Sequence, residues 1–259
     1  MAPPIRWREI FTVWTSYFLP FIPASPRIGI FAEAVCIFVQ AFGRNRFSDN
    51  ECGWMLWNLR VEAKMDDMDA LVLLKCQDFD PGSANRALAK AAMRLSEHYG
   101  IPIIAQWEVA FAIFETDIRW YMAHRHVIDV IWPPEEGYFA TYHVKMSSCE
   151  RMRTRGLIGR PLELAHPAML ARAIPICWKV GVNPVTDAVP FLRFWKHELW
   201  VWDKRSVQPW TRAFFPNWML REVPGRLLLI FFSVFSWARA LVPHAIAENL
   251  PDDWVAFRP

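Results

Sequence analysis

The chain has 259 residues, and its 29 lysines and arginines against 26 acidic residues give a net charge of +3. This length can bury a core of its own, whereas so balanced a charge, without a basic run, excludes the strongly cationic surface of a nucleic-acid-binding protein. The five cysteines form no C-x-x-C pair, which argues against a disulfide framework or a zinc site and favours a reducing compartment.

Residues 1–64 are rich in aromatic side chains with helical periodicity. The first of these side chains recur at spacings of three and four residues: Trp7, Phe11, Trp14 and Phe18. The apolar pattern of residues 30–41 continues this period and stops at Gly43, a residue typical of helix ends. We therefore predict an aromatic, helical N-terminal extension over residues 1–64.

The pattern changes after Met65, where short apolar runs alternate with amphipathic stretches. The runs have the length of strands and lie at 69–75, 101–105, 127–132, 161–165 and 182–186. Helical stripes at about 80–99, 107–124, 138–154 and 168–180 separate them. This alternation predicts an α/β domain over residues 65–190, with an open, mostly parallel sheet of about five strands and helices on both faces. In such a sheet, ligands bind at the carboxyl ends of the strands.

Residues 191–259 form a second aromatic flank. Five tryptophans lie between residues 195 and 218, and an apolar helix is predicted near 227–241. The apolar stretches at 28–43 and 227–238 are shorter than the roughly 20 residues that span a bilayer, so we predict buried or interfacial helices. Tryptophan suits interfaces, so we expect these flanks to bind other protein subunits, with a membrane surface as the alternative.

Two motifs in the middle zone resemble the YdcF/SanA/ElyC family, whose bacterial members are envelope-associated and contain a Rossmann-like domain. The family segment E-x-x-S-x-x-T-x-x-N is represented by Glu135, Tyr138, Thr141 and Val144. The family turn H-x-x-R-A is represented by Met169-Leu-Ala-Arg172-Ala173, with His166 three residues before the methionine. The similarity covers residues 65–190, about half of the chain.

The resemblance implies a ligand site made of Glu135, Thr141, His166 and Arg172, where arginine is the candidate for binding an anion. S-adenosylmethionine binding has been attached to one family member, so a nucleotide-like or phosphorylated envelope precursor is the ligand class that the resemblance implies. However, the glycine-rich turns of the family are replaced by Leu74-Lys75-Cys76-Gln77 and Ala105-Gln106-Trp107. Bulky residues there cannot supply a close backbone approach to a phosphate.

Two functions remain open at this point. The first is a non-catalytic scaffold, a pseudoenzyme that serves as a subunit of a larger assembly, with no cofactor and no metal. It is favoured because Val144 and Met169 replace polar family residues. The alternative is an enzyme or binding protein for a small anionic ligand. His124-x-His126 lacks a third ligand nearby, and Cys149 lies within a helix, so we expect neither a metal site nor a nucleophile there.

Overall fold

In a computed structural model of the chain, the residues whose structure is described are 34–43, 65–133, 141–186, 199, 201–206 and 211. The first strand, β1 (Ala34–Val39), precedes two helices, α1 (Asp67–Cys76) and α2 (Ser83–Tyr99). Then follow strand β2 (Ile103–Gln106), helices α3 (Trp107–Thr116) and α4 (Ile118–His124), a short 3-10 turn and strand β3 (Ile128–Ile131). Helix α5 (Thr141–Thr154), strand β4 (Arg160–Leu164), helix α6 (Pro167–Lys179) and the two-residue β5 (Val185–Thr186) complete the order.

The strands form one parallel sheet in the order β3-β2-β1-β4-β5. Strand β1 lies in the middle, with Ile37 opposite Ile103 of β2 on one side and Leu162 of β4 on the other. From β1 the chain builds outward to β2 and β3, and then returns to the other side of β1 for β4 and β5. The strand order therefore reverses between β1 and β4, where ligands bind in open α/β sheets.

Helices cover both faces of the sheet. On one face, Ile37, Ile103 and Leu162 belong to the larger core, which includes buried residues of α1, α2 and α3. On the other face, Phe38 and Ile104 pack against Cys149 and Met152 of α5, and α6 lies beside α5. A sheet buried on both faces explains why its strands are almost uniformly apolar.

Helix boundaries follow from local chemistry. Asp66 caps α1 by accepting a hydrogen bond from the Asp69 N–H at 2.8 Å, and Asp117 caps α4 by accepting from Trp120 N–H at 2.9 Å. The helix predicted over 107–124 is therefore divided at Asp117. Gly100 ends α2 in the left-handed conformation with a φ of +64°, as expected for a terminal glycine.

The first predicted strand, 69–75, is wrong, because these residues lie within helix α1. Its buried residues are Ala70, Leu71 and Leu74, at helical spacing, whereas Val72 is 41% exposed. The apolar run is only as long as a strand, and periodicity over so few residues does not separate the two structures.

The second predicted helix, 30–41, is also wrong, because Ala34–Val39 is the central strand of the sheet. Five of its six residues are buried, which is the pattern of a parallel strand covered on both faces. The predicted domain boundary at residue 65 therefore cuts off β1. The rest of the helical N-terminal extension, and the apolar helix near 227–241, lie outside the described residues.

The parallel α/β sheet is confirmed, but the predicted number of strands is not. The described residues supply four strands of four to six residues, and only the two residues of β5 are a strand within the predicted range 182–186. Within the described ranges, no helix is both long and apolar enough to cross a membrane.

Candidate functional site

The candidate site lies at the carboxyl ends of β1 and β4, where the strand order reverses. Strand β1 continues into the loop Gln40–Gly43, and β4 continues through Ala165 to His166, which precedes α6. The first turn of α5 approaches the same edge, because Thr141 contacts Gln40. The end of β1, the segment after β4 and the start of α5 therefore meet at this edge.

Hydrogen bonds from side chains hold the loop after β1 against three neighbouring elements. The Gln40 Nε2 group donates to Thr141 Oγ1 at 2.7 Å, which connects the loop to α5. The next two backbone N–H groups donate to side-chain oxygens: Ala41 to Gln106 Oε1 at 3.1 Å, and Phe42 to Asn85 Oδ1 at 2.8 Å. A loop tied in this way presents its backbone N–H groups to protein rather than to a phosphate.

Three rings fill the space between the ends of β1 and β4, and we call them the aromatic plug: Phe42, His166 and Trp202. The Phe42 and His166 rings stack with centroids 3.7 Å apart and an interplanar angle of 10°. The Trp202 ring meets both of them edge-on, with its centroid 5.4 Å from that of Phe42 and 4.9 Å from that of His166. Phe42 and His166 are buried, so the plug occupies the crevice that a ligand would enter.

Trp202 belongs to a segment of the C-terminal region, Val201–Ser206, which we call the strap. The Ser83 hydroxyl donates to the Trp202 carbonyl at 3.3 Å, and the Arg205 guanidinium pairs with Asp80 at 2.5 Å. The Arg205 side chain is 72% exposed, so this ion pair holds the strap only weakly. The burial of Ser206, the last residue of the strap, and the packing of the Trp202 ring in the plug therefore hold the strap more firmly than this ion pair does.

Gly43 makes room for the far end of the strap. Its φ is +78°, a conformation that L side chains rarely adopt, and a Cβ there would lie 3.1 Å from both Ser206 Oγ and Thr211 Oγ1. These two hydroxyls are hydrogen-bonded to each other at 2.7 Å and are almost completely buried. A residue larger than glycine would strain the loop and push against this contact.

His166 is fully buried in the plug, and burial lowers the pKa of its imidazole from 6.5 to about 3, partly offset by a hydrogen bond with the backbone of Val201. Its Nδ1 caps helix α6 by accepting from the Ala168 N–H at 3.2 Å. A ring with this pKa is neutral at pH 7. It is therefore a structural element of the closed edge and not a general acid at that pH.

Below the edge, on the α5 face of the sheet, a charged pair is buried completely. Lys145 Nζ of α5 lies 2.5 Å from Glu163 Oε1 of β4, and both side chains are 0% exposed. The Cys177 thiol of α6 donates to the other carboxylate oxygen at 3.5 Å, and the Phe38 ring lies 6.0 Å from the ammonium. The pair thus joins α5, β4 and α6 beneath the plug.

The cysteines of this face are poor nucleophiles. Burial raises the pKa of Cys149 to about 11 and that of Cys36 to about 12, and it raises the pKa of Cys177 well above its usual value. A thiol attacks as its thiolate, which these environments disfavour. The packing role predicted for Cys149 agrees with its burial in α5.

The structure brings two of the four predicted site residues to the same edge. Thr141 begins α5 with its hydroxyl bonded to Gln40, and His166 lies in the plug. Glu135 lies outside the described residues. Arg172 lies in helix α6, but only the backbone of Arg172 is described. The assignment of these residues to a ligand site stays a prediction.

The replacements seen in the two motifs point inward. Val144 is 1% exposed in α5, and Met169 is buried in the larger core at the start of α6. Trp107 follows β2 directly, is 3% exposed, and stacks on Trp132 with centroids 6.2 Å apart. Lys75 is at the end of α1 and follows no strand, so comparing it with the first family glycine turn is wrong.

Sequence reasoning missed Gln40, Phe42 and Trp202. The signal for the first two was present, since an apolar run ending in Gln-Ala-Phe-Gly fits a strand followed by a tight loop. The helical pattern read over residues 30–41 hides this signal, because it places the strand Ala34–Val39 within a helix. Nothing local in the sequence places Trp202 against a residue 160 positions earlier.

Among the described residues, no group of three or more His, Cys, Asp or Glu side chains could hold a metal ion. Comparison with protein-family models, with curated proteins and with solved structures finds no significant match.

Proposed function

We propose that this protein is a non-catalytic, YdcF-like structural subunit of a larger assembly. The observation that carries the proposal is that the crevice between β1 and β4 is filled by the chain's own rings, Phe42, His166 and Trp202. A ligand that entered this crevice would have to displace the plug and the strap. The domain then serves as a rigid body whose binding surfaces lie elsewhere.

The polar groups at the edge also support a structural role. The Thr141 hydroxyl accepts a hydrogen bond from Gln40 and the Gln106 amide oxygen accepts one from the Ala41 N–H, so both side chains hold the loop after β1 in place. A site that hydrogen-bonds a ligand loses roughly 1–3 kcal/mol for each polar partner replaced by an apolar group. Val144 and Met169, at positions where the family has polar side chains, are both in the core.

The partners remain part of the proposal. We propose that other protein subunits bind the tryptophan- and phenylalanine-rich flanks, since such residues are enriched where protein surfaces meet. A membrane surface is the alternative partner for the same flanks. The strap belongs to the C-terminal flank, and it already packs on the domain.

The test is isolation of the protein from its source under gentle conditions, followed by native mass spectrometry. We expect a defined complex well above the 30.3 kDa of one chain, without a stoichiometric small molecule. Washing membranes with high salt before extraction separates a peripheral membrane partner from a protein partner. A monomer, or a chain carrying a nucleotide-like ligand in stoichiometric amount, contradicts the scaffold.

One observation favours the alternative function, binding of a small anionic ligand. The Gln40 Oε1 atom is buried and has no hydrogen-bond partner in the part of the chain that the structure describes, while its Nε2 bonds Thr141 at the start of α5. The N-terminus of a helix, here one of 14 residues, attracts anions through its dipole. A ligand at 100 times its Kd adds about 2.7 kcal/mol of stability. A rise in Tm with S-adenosylmethionine or a phosphorylated sugar, lost in Thr141→Val, would favour this function.

A further inference from the structure

His166 joins three parts of the molecule that are distant in sequence. It ends the segment after β4, it caps helix α6, and it lies against the strap. Its ring stacks on Phe42 with centroids 3.7 Å apart and meets the edge of Trp202 at 4.9 Å. No water reaches the side chain, since it is 0% exposed. The closed position of the strap therefore depends on the state of this ring.

The hydrogen bonds of the ring define its protonation state. The Ala168 N–H lies 3.2 Å from Nδ1 and donates to it when that nitrogen carries no proton. The backbone of Val201, at the start of the strap, is a further hydrogen-bond partner of His166. A second proton on Nδ1 would remove the cap of α6 and would place a positive charge at the positive end of the helix dipole.

We propose that His166 is a pH-sensitive latch: its neutral imidazole holds the strap Val201–Ser206 over the carboxyl edge, and protonation of the ring releases the strap. The two polar contacts of the strap with the domain near α2 are weak, since its ion pair with Asp80 is largely exposed and its hydrogen bond from Ser83 is 3.3 Å long. Its firmer contacts are the packing of Trp202 in the plug and the burial of Ser206. Opening the strap breaks these contacts at the edge of the sheet and leaves the pairing of β1 with β2 and β4 in place.

Acid favours the open strap because the pKa of His166 is lower in the closed state than in the open one. In the closed state, burial holds the pKa of His166 near 3, and in an open strap the exposed ring would titrate near its ordinary value of 6.5. The closed state is thus fully favoured above about pH 6.5, and it loses tenfold in population ratio for each pH unit below that, down to about pH 3.

Among the described side chains, the charged groups on the packed elements are paired, exposed or distant from the ring. In the strap, Asp203 accepts a hydrogen bond from the Arg205 N–H, Arg205 pairs with Asp80, and Lys204 is exposed. On β4, Glu163 is paired with Lys145, and on the α6 side Lys179 lies at the opposite end of the helix. The loop Gln40–Gly43 carries no charge. Burial lowers the pKa of His166, and the hydrogen bond with the Val201 backbone partly offsets this decrease.

The test is hydrogen exchange of the full-length protein between pH 7.5 and pH 5.0, corrected for the intrinsic pH dependence of exchange. The amides to follow are those of Asp203 and Ser206, the two strap residues that are buried while the strap is closed. We expect their opening to increase by about 30-fold at pH 5.0, from the tenfold per unit below pH 6.5. Amides of helix α3, in the core, serve as the internal control and stay protected.

The matched variant is His166→Asn, because asparagine can still cap α6 but does not titrate. Its strap should exchange with no pH dependence beyond the intrinsic one, and His166→Gln gives the same comparison if the first variant does not fold. Equal acid sensitivity in a variant, a flat profile in the wild type, or simultaneous opening of α3 overturns the latch. The latch does not rest on the scaffold role, since exchange is measured on the isolated chain whatever its partners.

Discussion

Replacing Lys145 by methionine removes the positive half of an ion pair that is shielded completely from water. Methionine has nearly the same length and leaves the packing against the Phe38 ring in place. What changes is that the Glu163 carboxylate loses the ammonium at 2.5 Å and keeps only the weak Cys177 thiol at 3.5 Å. An uncompensated buried charge of this kind costs about 3–5 kcal/mol.

This cost is a large fraction of the stability of an ordinary domain, about 5–15 kcal/mol. Urea unfolding followed by tryptophan fluorescence measures it as a decrease in the midpoint with an unchanged m value. A single surface variant is the control. Arg86→Met breaks ion pairs to Asp80 and Glu115, but the side chains there are about 30% exposed, so the loss should stay below about 1 kcal/mol.

The double variant Lys145→Met/Glu163→Leu separates charge from packing. Because both charges are then absent, the desolvation cost of the pair disappears as well, and the stability should return to within about 1 kcal/mol of the wild type or exceed it. Two results would refute the reasoning: a loss below about 1 kcal/mol for Lys145→Met alone, or a double variant as unstable as the sum of the single ones.

Three other changes test the rest of the structure. Gly159→Ala should lower stability by about 1–3 kcal/mol in urea unfolding, because a Cβ there would lie 2.4 Å from Val35 Cγ1 at a φ of +153°; an unchanged midpoint contradicts this close approach. Phe42→Ala should cost about 3–5 kcal/mol by removing a buried ring of the plug, and a cost near zero would show that the plug is not packed. In a Cys52→Ser background, a thiol reagent at pH 7 should modify only the exposed Cys76 of the folded protein. Mass spectrometry identifies the modified residues, and modification of the buried cysteines would contradict the prediction: Cys36, Cys149 and Cys177.

The fold class could be predicted because parallel sheets leave a strong imprint on sequence. Ile103–Gln106, Ile128–Ile131 and Arg160–Leu164 are short apolar runs with helices of sufficient length between them, and each lies where it was predicted within one or two residues. Right-handed crossovers of this length permit few arrangements other than a parallel sheet. The class of fold thus depends on a pattern that several segments repeat.

The central strand was missed for a physical reason that applies to buried strands in general. Ala34–Val39 is covered on both faces, so it has no alternation of polar and apolar residues, and it resembles a buried helix. The run 69–75 has the opposite problem, since it lies in a helix whose exposed side includes an apolar residue, Val72, so few polar positions mark the side that faces solvent. Asp66, Asp67 and Asp69 before it are the N-cap and first turn of this helix, which was the available clue.

The candidate site could be predicted only as far as chain order determines position. His166 follows β4 and Thr141 is the first residue of α5, so the topology brings both residues to the carboxyl edge whatever their side chains do. The sequence could not show that Phe42 and Trp202 close on His166, because those contacts join residues far apart along the chain. The same chain order is thus compatible with an open crevice and with a filled one.

The filled crevice has a consequence for how the C-terminal flank is attached. Because Trp202 occupies the space beside His166, the chain's own side chains close this end of the sheet. The strap thereby packs over the ends of β1 and β4. It also anchors the flank that follows it to the domain at Ser206 and Thr211, against Gly43. A partner that binds beyond residue 211 is therefore attached to the sheet through the plug, and Phe42→Ala should weaken that attachment as well as the fold.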